Sequence, residues 1–245
     1  MMGAQVNEAG ESSVGGGAGL GAGGGVGGGA GGDAPRRRPR SDSEANRERL
    51  LAAAVSAMLH EGRNVPLATI AARAGVGVGT LYRKYADRDA LLHDLEHRAY
   101  GLLNGILDEV ERQELSGLDA VGRFLRRSLE VGDQLVLPMH GAPPLSTDEA
   151  VAARREIYRR LDLFAERGRA DGSIRAPVNA TDIIVFSAII TQPLAHGPNW
   201  PHLARRQLAL YLAGLAAATP ADLPGPPVTT HDIETTFSLG QGSAK

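Results

Sequence analysis

Three neighbouring side chains, at positions 80, 82 and 84, could together make polar contacts with a large partner. Thr80 carries a short hydroxyl, Tyr82 carries a phenol on a rigid ring, and Lys84 carries a positive charge. The sequence predicts a short helix over residues 78–84 with these side chains on its outer side. Such groups have the chemistry to contact the phosphates and base edges of double-stranded DNA. The segment therefore indicates a DNA-binding surface.

A second short helix and a tight turn must position this surface. Pro66 introduces a helix over residues 67–74, and Gly75 can adopt the positive φ angle that the turn requires. Ala71 is small where the two helices must approach each other, and Leu81 can fill the angle between them. This layout is that of a helix-turn-helix, whose second helix enters the major groove.

Helical periodicity continues through the rest of the folded region, and the sequence therefore predicts an all-α fold. A first helix, with an apolar stripe from position 50, can be capped by Ser41 or Ser43 and stopped by Gly62. Residues 180–191 are apolar and β-branched enough to form a strand, but their length and Asp182 favour a buried helix. The predicted helices that follow the turn span residues 88–111, 118–135, 147–167 (with room for a break), 180–191 and 200–217.

Both ends of the chain have compositions that predict disorder. Residues 15–32 consist almost entirely of Gly, Ala and Val, so residues 1–40 are expected to form a disordered arm. Residues 219–245 are Pro-rich and then polar, and they are expected to form a disordered tail. The arm ends in a basic run, which is either a solvated tail or a contact to nucleic acid. The run consists of Arg36, Arg37, Arg38 and Arg40.

The composition excludes several classes of protein. The chain has no cysteine, which rules out disulfides and thiolate metal sites, and its net charge is only -2. It has no apolar run of the roughly 20 residues that a membrane span needs. Residues 1–7 lack the pattern of a signal peptide, so a cytoplasmic location without membrane partners is expected.

The helix-turn-helix region resembles the TetR family of dimeric repressors, and Ala213, Gly214 and Leu215 resemble the end of the last helix in a common actinobacterial-type subgroup of that family. The resemblance covers about residues 48–95. It implies a three-helix DNA-binding domain over residues 41–87 and a helical ligand-binding and dimerisation domain over residues 88–218. The residues that carry it are Ala53, Ala54, Gly62, Ile70, Ala71, Ala74, Gly75, Val76, Gly79, Thr80, Leu81, Tyr82, Tyr85, Ala90, Leu91 and Leu92.

The resemblance also implies which residues contact operator DNA. Thr80, Tyr82 and Lys84 match the DNA-contacting positions, and Arg88 matches a basic residue that meets a phosphate. Val78 and Gly79 match the start of the recognition helix.

Three departures from the family pattern stand in this region. Pro66 replaces the usual Ser or Thr cap, which puts one phosphate contact in doubt. Gly77 and Val78 offer no polar group to bases, and Lys84 replaces a common His. Base readout is therefore expected to be sparse, with contributions from thymine methyl groups and DNA shape.

The second domain is expected to bind a small apolar or amphipathic effector. Aromatic residues make up only 4% of the chain, so a pocket would be lined mostly by aliphatic side chains. Plain core packing is an equal alternative for each candidate. The candidates for the pocket are Leu102, Ile106, Phe124, Met139, Phe164 and Phe186.

The last two predicted helices resemble the family's dimerisation pair. Two such pairs, one from each subunit, would form a four-helix interface about a two-fold axis in a homodimer. Small residues along these helices would allow close approach. They are Ala188, Ala209, Ala213, Gly214, Ala216 and Ala217.

Other interpretations of the sequence are weaker. No nucleophile, base and orienting group stand at a recognisable spacing, so neither enzymatic activity nor a cofactor is expected. The glycines of residues 75–79 follow a helix rather than the strand that a dinucleotide-binding loop requires. His93 and His97 have a spacing that can hold a metal, but a solvated helix face is favoured and no metal is predicted.

The favoured function is thus a ligand-responsive repressor that binds a palindromic operator as a dimer. A constitutive DNA-binding protein without an effector is the alternative. The length of the helical C-terminal region favours the first interpretation, because it exceeds what dimerisation alone requires.

Overall fold

The computed structural model describes residues 39–61, 64–140, 144–192, 199–218 and 222–242. The expectations for residues 1–38, including Arg36, Arg37 and Arg38, and for Gly62 lie outside these ranges.

The described part of the chain is all-α, as predicted. It contains nine α-helices and two short 3₁₀ turns, at Gly132–Gln134 and Pro138–His140. The β pairing in it is limited to an isolated bridge between Ile174 and Ala216. The helices are α1 (Pro39–Glu61), α2 (Leu67–Arg73), α3 (Val78–Lys84), α4 (Arg88–Glu111), α5 (Gly117–Glu130), α6 (Asp148–Ala170), α7 (Ala180–Ile190), α8 (Trp200–Leu215) and α9 (Thr230–Gly242).

The first hydrophobic core joins α1, α2, α3 and the first half of α4. Leu51, Ile70, Leu81 and Leu91 are fully buried in it, because the apolar stripes of the four helices face one another. Helices α1 to α3 of this unit contain the predicted helix-turn-helix.

The second core is formed by the second half of α4 together with α5 to α8. Helices α5 and α6 approach closely in it, since a Cβ atom on Gly117 would lie 2.1 Å from the backbone N of Gly168. A side chain at Gly117 would therefore separate the two helices.

Helix α4 belongs to both cores. Asp87 caps its first turn by accepting a hydrogen bond of 2.8 Å from the backbone N–H of Ala90. Leu91 and Leu95 pack in the first core, whereas Leu103 and Leu107 pack in the second. One helix therefore spans the distance between the two.

Three predicted elements differ from the structure. Helix α1 begins at Pro39, so Arg40 lies in its first turn and not in the arm. The helix expected over residues 118–135 ends at Glu130 and gives way to a 3₁₀ turn, where Gly132 lies against the backbone of Thr191. Helix α6 runs without a break.

The expected disordered tail is also corrected. Residues 222–229 follow an irregular path, and α9 then begins at Thr230. A hydrogen bond of 2.8 Å from Asn179 Nδ2 to the Val228 carbonyl, together with contacts from α9, connects this segment to the second domain.

None of the described helices is long and apolar enough to cross a membrane.

Candidate DNA-binding surface and effector cavity

The outer side of α3 is a continuous exposed surface. Val78 is 42% exposed and Tyr82 is 52% exposed, although both are large and carry apolar groups. Gly79 and Lys84 are also exposed, whereas Thr80 is half-buried. Leu81 on the opposite side is fully buried, and it fixes which side of the helix faces outward.

The turn before α3 has the geometry predicted from its glycine. Gly75 has a φ of +66°, and its backbone N–H donates to the Ala72 carbonyl at 3.1 Å. The Val76 N–H donates to the Ala71 carbonyl at 3.0 Å, which closes the C-terminal end of α2. The turn is thus held by backbone hydrogen bonds and requires a residue that tolerates positive φ.

A polar cluster behind α3 connects it to α1 and α4. The Tyr85 hydroxyl donates to Asp94 Oδ2 at 2.5 Å, and Arg47 Nε donates to the same oxygen at 3.0 Å. Burial alone would raise the pKa of Asp94, but the hydrogen bonds from Arg47 and Tyr85 hold that pKa below its usual range. Sequence reasoning named Tyr85 as part of the family resemblance but missed this cluster, because its members are far apart in the chain.

Lys84 lies at the edge of this cluster. Its Nζ is 5.8 Å from the centroid of the Tyr85 ring. Partial burial and the nearby positive charge of Arg47 lower the pKa of the Lys84 ammonium. Because the side chain remains exposed, its charge is available to a phosphate.

Arg88 and Pro66 meet on the same side of the domain. The Arg88 guanidinium donates to the carbonyl of Val65, next to Pro66 at the start of α2. Pro66 makes no side-chain cap hydrogen bond. The basic group expected near a phosphate thus lies beside the N-terminus of α2.

A cavity of about 40 Å³ lies inside the second domain. Its wall is mostly apolar and draws on α4, α6, α7, α9 and the segment between α5 and α6. The wall is formed by Tyr100, Leu103, Leu135, Leu137, Pro138, Met139, Arg154, Ile157, Tyr158, Ile184, Ser187, Ala188, Thr191 and Phe237.

Of the six residues predicted to line a pocket, the structure places Met139 on this wall. Phe124 and Phe164 are instead fully buried in the second core, because these side chains lie on the faces of α5 and α6 that pack into that core. Phe186 stacks on Tyr211 with ring centroids 3.7 Å apart. Leu102 and Ile106 line a shallow groove on the outer surface of α4.

Arg154 is the charged residue of the cavity wall, and it is only 5% exposed. Its Nη1 donates to the Leu145 carbonyl at 2.9 Å and lies 3.6 Å from Oε1 of Glu96, which is fully buried. Burial raises the pKa of Glu96, although hydrogen bonds from Tyr100 and the Leu145 N–H act in the opposite direction. Arg154 occupies a position in the apolar stripe of α6, and this was the sequence signal that could have revealed it.

Two further contacts run between the domains. Arg98 on α4 pairs with Glu48 on α1 at 2.8 Å and donates to Gln134 at 3.1 Å. In the segment after the first 3₁₀ turn, Val136 packs into the first core, while Leu135 and Leu137 pack into the second and line the cavity.

A wider groove of about 780 Å³ lies on the surface between α5 and α8, lined in part by Arg126, Trp200 and Arg205. Beside it, α7 and α8 expose large apolar residues: Ile189 is 62% exposed and Leu210 is 58% exposed. The small residues Ala209 and Ala213 are also exposed there.

Within the described ranges, no group of three or more potential ligands is arranged to hold a metal ion. His93 and His97 lie exposed on the surface of α4.

The architecture is similar to that of known bacterial regulatory proteins. Residues 50–95 match the family model described as bacterial regulatory proteins, tetR family. No curated protein sequence matches the chain. Among solved structures, the TetR transcriptional regulator SCO0520 from Streptomyces coelicolor is 28% identical, and the match covers 71% of this chain and 99% of that one with a TM-score of 0.47.

Two other solved structures have higher TM-scores. LfrR from Mycobacterium smegmatis, a TetR-like transcriptional regulator in complex with proflavine, is 20% identical over 74% of this chain and 99% of that one, with a TM-score of 0.57. The ketosteroid transcriptional regulator KstR2 of Mycobacterium tuberculosis is 18% identical over 69% and 94%, with a TM-score of 0.56. Residues 50–95 therefore form a DNA-binding domain of the tetR type, and the described helices share the fold of these regulators.

Proposed function

We propose that this DNA-binding regulator is a homodimeric repressor that leaves a palindromic operator when a small organic effector binds in its second domain. The observation that carries the proposal is the course of α4. Its first half packs against the helix-turn-helix, and its second half provides Tyr100 and Leu103 to the cavity wall. A change at the cavity can therefore reach the DNA-binding unit through one continuous helix.

On the DNA side, the exposed face of α3 would enter the major groove. Thr80 and Tyr82 would contact base edges and phosphates, Lys84 a phosphate, and the Val78 and Gly79 surface would lie against thymine methyl groups. Arg88 would meet a phosphate near the start of α2. The basic run of Arg36, Arg37, Arg38 and Arg40 would add phosphate or minor-groove contacts.

The exposed apolar face of α7 and α8 supports a dimer. Ile189 and Leu210 would become buried when the same face of a second subunit packs against them, and the alanines would allow close helix approach. Two recognition helices held in this way would reach successive major grooves about one helical turn apart. The operator should therefore be palindromic, and the regulator would act in the cytoplasm, where its DNA is.

The proposed switch is a coupling between effector and operator. LfrR, which shares the fold, was solved with the small molecule proflavine, and this supports an effector of apolar or amphipathic character here. The effector would favour a conformation in which the two recognition helices no longer fit their grooves together. Couplings of this kind typically amount to about 1–3 kcal/mol, or roughly 5- to 150-fold in affinity.

The test begins with footprinting on DNA upstream of the protein's own gene, followed by titration of the protected site. Tyr82→Ala should weaken operator binding severely without changing the melting temperature, since its side chain is exposed. Leu163→Ala is the matched control, because Leu163 is a similarly exposed large side chain on α6. Equal binding by both variants, or a monomer in sedimentation at micromolar concentration, would contradict the proposal.

The effector is tested separately by reciprocity. A compound that raises the melting temperature should bind more weakly when operator is present. If a broad panel yields only compounds with equal affinity in the two conditions, the constitutive DNA-binding protein replaces the ligand-responsive one.

A further inference from the structure

We propose that the cavity of the second domain binds a molecule with one carboxylate and an apolar body, and that α9 occupies this site until that molecule displaces it. The inference rests on the proposed function and specifies the chemistry of its effector. It is carried by the way in which α9 meets Arg154.

Glu234 of α9 holds the outward-facing edge of the Arg154 guanidinium. Arg154 Nε donates to Glu234 Oε1 and Nη2 donates to Oε2, both at 2.9 Å. Two parallel hydrogen bonds of this type are the preferred way for arginine to bind a carboxylate. The α9 carboxylate thus occupies a position that any carboxylate of the same size could take.

Phe237 follows Glu234 by three residues and covers the same group. Its ring centroid lies 5.5 Å from Cζ of Arg154, and its side chain forms part of the cavity wall. Residues three apart share a helix face, so α9 presents a carboxylate and an apolar ring side by side. Glu234 and Phe237 together thus present the same two chemical groups as the proposed ligand, a carboxylate and an apolar body.

The volume of the cavity excludes a ligand while α9 is in place. About 40 Å³ gives room for little more than one water molecule, whereas ligand sites typically occupy about 300–1,000 Å³. Apart from Arg154 and a few hydroxyls, the wall is apolar, so the space vacated by Phe237 suits a hydrocarbon or aromatic body. Ligand and α9 therefore compete for the same space.

Helix α9 is attached in a way that permits its release. Among its described side chains, Thr230, Ile233, Glu234 and Phe237 are partly buried, and the rest are exposed. Within residues 230–237, no side chain of this face is fully buried, which is the character of an element that opens before the core does. Arg154 would keep its contact with Glu96 after α9 leaves, so the exchange leaves no isolated buried charge.

The experiment uses the full chain without DNA and two probe series of equal length. These are straight-chain carboxylates from hexanoate to dodecanoate, and the corresponding primary amides. Binding is measured by calorimetry to the wild type, to Glu234→Gln and to Glu156→Gln. Glu156 is the matched control, since it forms an exposed ion pair with Arg159 on α6 and its variant makes the same change of charge.

Glu234→Gln weakens the hold of α9 and leaves the Arg154 edge available, so at least one carboxylate should bind this variant about tenfold or more tightly than the wild type. The same carboxylate should bind the variant at least about tenfold more tightly than its amide. When this carboxylate binds the wild-type protein, amide hydrogen exchange of residues 230–237 should become faster. Glu156→Gln should match the wild type in every measurement.

Three results would overturn the inference: no carboxylate binds Glu234→Gln, the carboxylates bind it no more tightly than the wild type, or exchange in α9 is unchanged on binding. Binding in the groove between α5 and α8 would give the second result. Failure of the proposed function would have a different sign, because the wild-type protein would then bind no operator in the footprinting experiment.

Discussion

Two glycines four residues apart in the helix-turn-helix should respond in opposite ways to the same substitution. Gly75 and Gly79 both have open space where a Cβ would go, so neither Gly75→Ala nor Gly79→Ala creates a clash. Gly75 has a φ of +66°, a conformation that costs an L-residue roughly 1–2 kcal/mol. Gly79 lies in α3, where alanine is favoured over glycine by up to about 1 kcal/mol.

The free energies of unfolding of the two variants should therefore differ by roughly 2 kcal/mol, or about 4–8 °C in melting temperature for a chain of this size. Thermal unfolding followed by circular dichroism measures the difference, and each variant serves as the control for the other. Gly79→Ala should also weaken operator binding despite its higher stability, because its Cβ would project from the surface proposed to face DNA. If Gly75→Ala proves as stable as Gly79→Ala, the strain argument for the turn is refuted.

Other substitutions test the charges of the DNA-binding domain. Lys84→Ala should lower operator affinity and reduce the slope of log affinity against log salt by about 1, whereas Arg155→Ala on α6 should leave the slope unchanged in the same gel-shift series. Asp94→Asn should lower the free energy of unfolding near pH 7, as measured by urea unfolding. Because the folded-state pKa of Asp94 is depressed, the difference in free energy from the wild type should persist above about pH 4 and shrink as the pH falls below it. A chain that starts at Pro35 should melt like the full protein in calorimetry, and a substantial fall in melting temperature would show that residues 1–34 contribute to the fold. Neutralising the basic run should flatten the salt dependence of DNA binding, and an unchanged slope would mean that the run makes no contact.

The elements that depend on local chemistry could be predicted from the sequence. The bounds of α3 and α4 agree with the prediction, because Gly75 fixes the turn and Asp87 caps the next helix. The burial of Leu81 was also predicted, from its place in the angle between the two short helices.

The elements that depend on tertiary contacts could not be predicted from the sequence. Helix α9 has few apolar residues of its own and follows a Pro-rich segment. Its described contacts with the second domain include Ile233 against the second core and Glu234 and Phe237 against Arg154. Phe124 was a reasonable candidate for a pocket, but whether an aromatic residue lines a cavity or fills a core depends on how the helices pack.

The alternation of Leu135, Val136 and Leu137 between two cores makes the length of this segment critical. Leu135 has extended backbone, in which successive side chains point to opposite sides. Inserting or deleting one residue here would exchange the side chains that face the two cores, so that Val136 would face the cavity and the leucines would face α1. Homologous regulators built on this plan should therefore vary in length in the loops outside this segment, while the spacing from Gly132 to Pro138 stays constant.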